Sequence, residues 1–367
     1  MLNARIAIIG GGLSGLYAAA LLEARGIADY VLLEARDTFG GRILSAAEGR
    51  ARFDLGATWF WPDLQPGLQR LVEGLGLETF EQPETGDMLI ERAGSQAPER
   101  VGGYSAASPA WRMAGGLETL TDALRQRLSA GAHRTGCRVQ RLRQQDGHLE
   151  LDTLDASGQP ASWRVERVLL AVPPRLAAHM IEFVPALPAA LLRAWQDCPT
   201  WMAPHAKYVA VFDDAFWRGR GLSGEARSAV GPLVEIHDAS DRDGGAALFG
   251  FLGIPAQARN TVPEAGLLLH CRAQLKRLFG DAAGTPKAEF LKDWANDPHT
   301  AVAADRTPAM HHAASPPSAA SAGAWQGRLV GIASEWSPEF SGYVAGAVDA
   351  AQRGVEALFA SDVHIRS

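Results

Sequence analysis

Residues 5–26 read RIAIIGGGLSGLYAAALLEARG. Ile6-Ala7-Ile8-Ile9 is an apolar run the length of a buried parallel strand. Gly10-Gly11-Gly12-Leu13-Ser14-Gly15 follows at once, and residues 16–25 are rich in Ala and Leu, as in a helix. Strand, glycine turn and helix are the context in which Gly-x-Gly-x-x-Gly points to a dinucleotide. Gly10 permits the tight turn, Gly12 lets backbone approach a pyrophosphate, and Gly15 lets helix and strand pack closely. Leu13 and Ser14 lie in the turn that leads into the helix, whose unpaired N–H groups and positive dipole end attract phosphate. A second apolar run, Tyr30-Val31-Leu32-Leu33, ends in Glu34. It lies about 20 residues beyond the glycines, where an acid accepts ribose hydroxyls and repels a 2′-phosphate. The chain therefore starts as an α/β dinucleotide fold.

The bulk composition narrows the partners. A chain of 367 residues, 47% hydrophobic and 21% charged, can bury a sizeable core and has room for two domains. A net charge of −6 disfavours nucleic acid or an anionic membrane as the main partner. No apolar run approaches the roughly 20 residues of a membrane span, and no signal segment precedes the first strand. Cys137, Cys198 and Cys271 are far apart and odd in number, as expected of reduced thiols in a cytoplasmic protein.

After Glu34 the chain runs Ala35-Arg36-Asp37-Thr38-Phe39-Gly40-Gly41-Arg42. Arg36 and Arg42 flank two more glycines, and either arginine can neutralise a pyrophosphate or bind it through paired hydrogen bonds. Asp54-Leu55-Gly56-Ala57-Thr58 follows, then Trp59-Phe60-Trp61. Gly56, Ala57 and Thr58 are small enough for backbone to lie along a flat ring. Residues 68–75 and 117–128 predict helices, the latter from Leu117, Leu120, Leu124 and Leu128 on one face. Residues 137–142 and 149–154 predict a hairpin turning at Gln145-Asp146-Gly147. Residues 165–172 read as one buried strand, stopped by Pro173-Pro174. Residues 206–212, 232–237 and 246–252 suggest an antiparallel sheet, with a helix over 264–279. Residues 310–324 read as a surface loop. Residues 328–335 are strand then turn, and Ser341 is a candidate N-cap for a helix reaching about residue 359.

The order of these motifs resembles the flavin-containing amine oxidase family: the glycine turn, Glu34-Ala35-Arg36, Gly40-Gly41-Arg42, Asp54-Leu55-Gly56, and a C-terminal Ser341-Gly342-Tyr343. The resemblance implies a Rossmann-like FAD-binding domain (GR2-type) from residues 1–75, 110–180 and 325–367. A second, α+β substrate domain would come from 76–109 and 181–324. It implies FAD as cofactor and a small-molecule amine and dioxygen as reactants, with oxidation of a C–N bond to an imine and release of hydrogen peroxide. By the same resemblance Val139 meets the adenine, Glu335 matches the family glutamate, and Trp294 lies beside the flavin. Val344 opens the helix aimed at the pyrimidine edge. Lys207 matches the lysine that holds a water at flavin N5, and Tyr343 one wall of an aromatic cage. A lysine inside the apolar run 207–212 is costly unless the strand is at a sheet edge, where it would be solvated.

Departures from the family pattern matter. Ala303 and Ala304 stand where monoamine oxidases carry a flavin-linked cysteine and the second cage tyrosine. FAD is therefore expected to bind non-covalently, in a cage with one wall missing, which Trp59 or Trp61 could supply. No arginine matches the one L-amino-acid oxidases use for a carboxylate. No metal pattern is present, and His311-His312 reads as solvated. Two readings remain beside the amine oxidase: a desaturase or protoporphyrinogen-oxidase-like enzyme on the same scaffold, and a flavin-binding protein without turnover. Oligomeric state and substrate identity stay open.

Overall fold

The computed structural model describes residues 1–103, 107–307 and 314–363, with side chains described to residue 359. His311 and His312 lie outside the described residues, as does the start of the predicted surface loop.

Five parallel strands form the sheet on which the glycine turn sits, in the order His133–Arg134, Tyr30–Leu33, Ile6–Ile9, Arg167–Leu170, Leu329–Gly331. Strand side chains alternate between faces. Ile6 and Ile8 therefore enter one core and Ala7 and Ile9 another. The first core is roofed by the helices Leu13–Ala24, Glu118–Arg127 and Val344–Val363. The second is closed by a five-stranded mixed sheet that includes the expected hairpin, now Arg138–Gln145 and His148–Leu154.

The expectation of one strand over 165–172 is corrected. Pro160–Val165 pairs with the hairpin, while Arg167–Leu170 crosses into the parallel sheet beside Ile6–Ile9. Glu166 is the joint, its N–H donating to the Arg5 carbonyl (2.9 Å). Val165 ends one strand and Val168-Leu169-Leu170 lie in the next, all of them buried, so the break at Glu166 carries no signal in composition.

The third sheet has seven strands, in the order Ala288–Asp293, Ala206–Phe212, Ala246–Leu252, Leu233–Asp238, Leu222–Ser228, Asp87–Glu91, Glu99–Val101. The three strand-like runs are antiparallel neighbours as expected. Its Tyr208-Ala210-Phe212 face packs on the helix Glu264–Phe279. The opposite face, with Val209 and Val211, packs on Phe53 and Leu55. Lys207 shares that second face. Its strand is hydrogen-bonded on both sides, so an edge position is excluded.

Helix Leu13–Ala24 begins three residues earlier than its composition suggested, directly after Gly12. Gly15 makes this close start possible: a Cβ there would lie 1.9 Å from the Gly10 carbonyl oxygen. Gly15→Ala should therefore force strand and helix apart and cost at least ~2 kcal/mol of stability, read as a lowered unfolding midpoint in the holoprotein. A midpoint unchanged from wild type would refute this packing argument.

Candidate active site

A cavity of about 710 Å³ runs along the C-terminal ends of the parallel strands and on to the seven-stranded sheet. At its inner end lie Gly10, Gly12, Leu13 and Ser14, at the start of helix Leu13–Ala24. The second glycine turn leans on the first through a Gly12–Gly40 bridge, and Gly40 N–H donates to the Gly11 carbonyl (3.0 Å). Glu34 is 4% exposed; its carboxylate accepts from the backbone N–H of Gly11 (2.6 Å) and of Arg36 (2.8 Å). Each carboxylate oxygen keeps one acceptor site for a ribose hydroxyl. The Glu34 carbonyl takes the N–H of Cys137, bringing Val139 to the same wall as Ala35.

The two arginines are held from far along the chain. Arg36 Nη2 donates to Asp297 Oδ1 (2.6 Å) and Thr300 Oγ1 (3.0 Å). Burial would raise the Asp297 carboxyl, but Arg36 and Lys292 outweigh it and hold it below its usual range. Arg42 makes a fork with Glu335, Nη1 to Oε1 at 2.6 Å and Nη2 to Oε2 at 2.9 Å, and Nη2 also donates to Ser334 Oγ (3.0 Å). The Glu335 side chain is 1% exposed and lies behind the cavity wall. Burial pushes its carboxyl up; the charge and hydrogen bonds of Arg42 bring it below the usual value. Glu335 thus reaches the cavity through Arg42. Gly15 likewise stands behind the lining.

The outer end, at the seven-stranded sheet, holds Lys207 beside Gly56 and Thr58 with Trp294 next to them, and Gly41, Ala57, Tyr343 and Val344 line the same cavity. Lys207 Nζ donates to the Gly56 carbonyl (3.2 Å) and to Thr58 Oγ1, and lies 4.0 Å from the Phe249 ring centroid. Burial lowers its pKa to about 7, with Asp54 opposing the shift and Arg112 adding to it. Trp294 Nε1 donates to the Leu55 carbonyl (3.0 Å), under the Lys292 ammonium. Tyr343 meets Trp61 edge to face at 6.2 Å. Trp59 also lines the cavity, its Nε1 donating to Gln82 Oε1 (2.8 Å) and its ring packed on His237 and Phe249.

Two expectations change here. Ala303 and Ala304 are exposed and outside the cavity lining, so they do not stand at a cage wall. Ser341 does not cap the last helix. That helix starts at Val344, Tyr343 O takes its first bond from Ala347, and the Ser341 hydroxyl donates to the Glu335 carbonyl (3.4 Å). Among the described residues no cluster of acids, histidines and cysteines is arranged to hold a metal.

Glycine turns without room for Cβ, a buried ribose-accepting acid, two flanking arginines and a helix start together fit an extended flavin dinucleotide. A model of the NAD(P)-binding Rossmann-like domain matches residues 8–75, and a model described as flavin containing amine oxidoreductase matches residues 91–358. The chain belongs to the flavin containing amine oxidoreductase family. It is therefore a flavin enzyme, an oxidoreductase of amine-oxidase type with FAD as cofactor. A probable flavin-containing monoamine oxidase A of Dictyostelium discoideum is 21% identical over 80% of this chain and 84% of that protein. The human flavin-containing amine oxidase B is 36% identical, over 26% of this chain and 18% of that protein. Among solved structures, putrescine oxidase bound to putrescine aligns with a TM-score of 0.79 at 20% identity, covering 98% of this chain and 99% of that one. Cyclohexylamine oxidase from Brevibacterium oxydans IH-35A aligns with a TM-score of 0.79 at 18% identity, over 98% and 99%. These likenesses show the shared fold. Among the described residues no helix is long and apolar enough to cross a membrane.

Sequence reading missed Asp297 and Thr300, the tether of Arg36, and Trp201 and Met202, which line the outer end. No periodicity marks them, since they sit in turns. Arg42→Ala should leave Glu335 buried and unpaired, costing about 3–5 kcal/mol at pH 7. Because the pair holds the folded pKa of Glu335 below the free value of 4.5, its contribution is present above that value and lost as pH falls through the folded pKa. The deficit of Arg42→Ala against wild type should thus shrink at acid pH. An equal deficit at pH 7 and below pH 4 would instead assign Arg42 a packing role.

Proposed function

We propose that this enzyme oxidises a small-molecule amine at the carbon next to nitrogen to give an imine, with dioxygen as final acceptor and hydrogen peroxide as product. FAD, when bound, supplies the two-electron redox chemistry that no side chain offers. The observation that carries the reading is Lys207, a buried lysine on a central strand that lines the same cavity as Tyr343. A pKa near 7 lets Lys207 give and take a proton at neutral pH, and its N–H groups can hold a water beside the small-residue run 56–58. Tyr343 offers an aromatic face to an amine nitrogen. Gly10, Gly12, Leu13, Ser14 and Gly15 would take the pyrophosphate with Arg36, Gly41 and Arg42, and Glu34 the ribose. Ala35 and Val139 would meet the adenine, and Gly56, Ala57, Thr58, Trp294 and Val344 the ring system, with Glu335 acting through Arg42. In the same reading residues 1–75, 110–180 and 325–367 form the FAD domain and the rest the substrate domain. The three separated free thiols support a cytoplasmic location.

A peroxide-release assay across an amine panel tests the reaction. Bleaching of the flavin by at least one amine without air, and peroxide on re-aeration, are expected. If no amine does either, the reading fails and C–C oxidation takes its place. Acid precipitation should release all the flavin, since no cysteine lines the outer end; the lining cysteine, Cys137, sits at the inner end beside Arg138 and Val139. Yellow colour left in the pellet would disprove non-covalent binding.

Lys207→Met should keep FAD bound but slow reoxidation of the flavin by dioxygen. Between about 7 and 10.5 the unfolded chain holds a proton on Lys207 that the folded chain does not. Wild-type stability should therefore rise with pH across that window. The stability of Lys207→Met relative to wild type should be highest below about pH 7 and fall toward pH 10.5. An unchanged reoxidation rate would remove Lys207 from the reaction.

A further inference from the structure

Ala303, Ala304 and Arg306 are exposed and supply no aromatic wall, but Asp305 between them is turned inward. Asp305 is wholly buried. Its Oδ1 accepts from Arg175 Nη1 (2.7 Å) and from the Thr200 N–H (3.0 Å), and its Oδ2 from the Val302 N–H (3.1 Å). Thr200 opens a tight turn: Ala203 N–H donates to the Thr200 carbonyl (3.2 Å) and His205 N–H to that of Met202 (3.1 Å). Within it Met202 has φ +62°, a left-handed conformation that costs a residue with a side chain energy and persists only where its surroundings impose it. The strained turn points Trp201 and Met202 into the cavity lining, with Tyr343 and Trp61. The stem of Trp201 is seated on Gly342, the residue before Tyr343. There a Cβ would lie 2.6 Å from Trp201 Cβ and 2.9 Å from its Cγ, and φ is +82°. Glycine at 342 is thus required twice, by its conformation and by the indole resting on it.

We propose that Trp201 is the second aromatic wall of the substrate end, a specificity-determining residue presented by the turn that Asp305 holds. The 303–306 segment gives up its own side chains at the site and acts instead as the anchor of a neighbouring turn. Asp305 is a positioning residue, since it acts through Trp201. This inference rests on the amine reading above. A large indole beside Tyr343 and Trp61 offers stacking area to an aromatic group carried by the amine, and less to a short alkyl chain.

The test uses the FAD-loaded enzyme with benzylamine and propylamine, and measures KM and kcat for both, FAD retention and the unfolding midpoint. Trp201→Leu should raise KM for benzylamine about tenfold, the loss of one good aromatic contact, and change that for propylamine less than threefold, with FAD retained. Trp201→Phe should stay within about threefold of wild type for both. Asp305→Asn should reproduce the Trp201→Leu selectivity, because the amide keeps an acceptor for one partner but loses the charge that holds Arg175 and Thr200 together. A Trp201→Leu enzyme with unchanged benzylamine KM overturns the proposal. So does one in which both amines suffer alike, whether or not its midpoint has dropped. If Trp201→Leu does not fold, Trp201→Met decides: a benzylamine KM raised about tenfold with that for propylamine changed less than threefold supports the wall, and an unchanged benzylamine KM overturns it. Wild-type inactivity toward every amine would instead sink the amine reading and this inference with it, whereas amine turnover indifferent to residue 201 sinks this inference alone.

Discussion

The fork between Arg42 and Glu335 ties the site together. It joins residues 293 positions apart, one on the second glycine turn and one just ahead of the C-terminal helix. The Glu335 carboxylate, 1% exposed, is costly without its partner at that depth, so the site closes only when both segments are in place. Through it the wall around Arg42 and the helix start at Val344 are fixed relative to each other. Arg36 repeats the device at the inner end, bound to Asp297 and Thr300. The cavity is thus braced across the fold by two arginines from one short stretch, each held by an acid from the last quarter of the chain.

The parallel sheet was legible because its signals are local. Ile6–Ile9, the glycine run and Tyr30–Leu33 lie next to each other, and each residue type has one structural use there. Lys207 was legible for the opposite reason: a charge amid apolar residues has few explanations, and pairing on both sides of its strand leaves the buried one. What stayed hidden depends on chain segments meeting in space. Glu166 splits an apolar run between two sheets, and neither half differs from a continuous strand in composition. Trp201 reaches the cavity through a left-handed methionine and an acid a hundred residues on, neither of which carries a sequence signature. The alanines at 303 and 304 were read as positions at the site by motif spacing, but spacing fixes distance along the chain and not direction.

The outer end combines features with opposite electrostatic costs. Lys207 and Arg112 are both buried, and Asp54 is their shared counter-charge. Burial raises the Asp54 carboxyl and lowers both bases; attraction between Asp54 and each base opposes these shifts, while Arg112 adds to the lowering of Lys207. The group is held in place by backbone as much as by charge: Asp54 Oδ1 accepts from the Leu117 N–H and the Ser45 hydroxyl, and Arg112 donates to the carbonyls of Ala239 and Ser240. A lysine near neutrality is therefore a product of three sheets meeting, and no single segment could set it.

The strand order of the parallel sheet also carries a consequence for biosynthesis. Its edge strand, Leu329–Gly331, pairs with Arg167–Leu170, which itself lies beside Ile6–Ile9. A ribosome delivers Arg42 293 residues before its partner Glu335. Until residues 329–335 have emerged from the exit tunnel, Arg167–Leu170 lacks its edge neighbour and Arg42 its acid. Contacts of such long sequence separation close slowly, since chain entropy must be spent before they are rewarded. The glycine turns must wait, incompletely braced, for a segment 293 residues on from Arg42, and the unfinished sheet is exposed to chaperones in the interval.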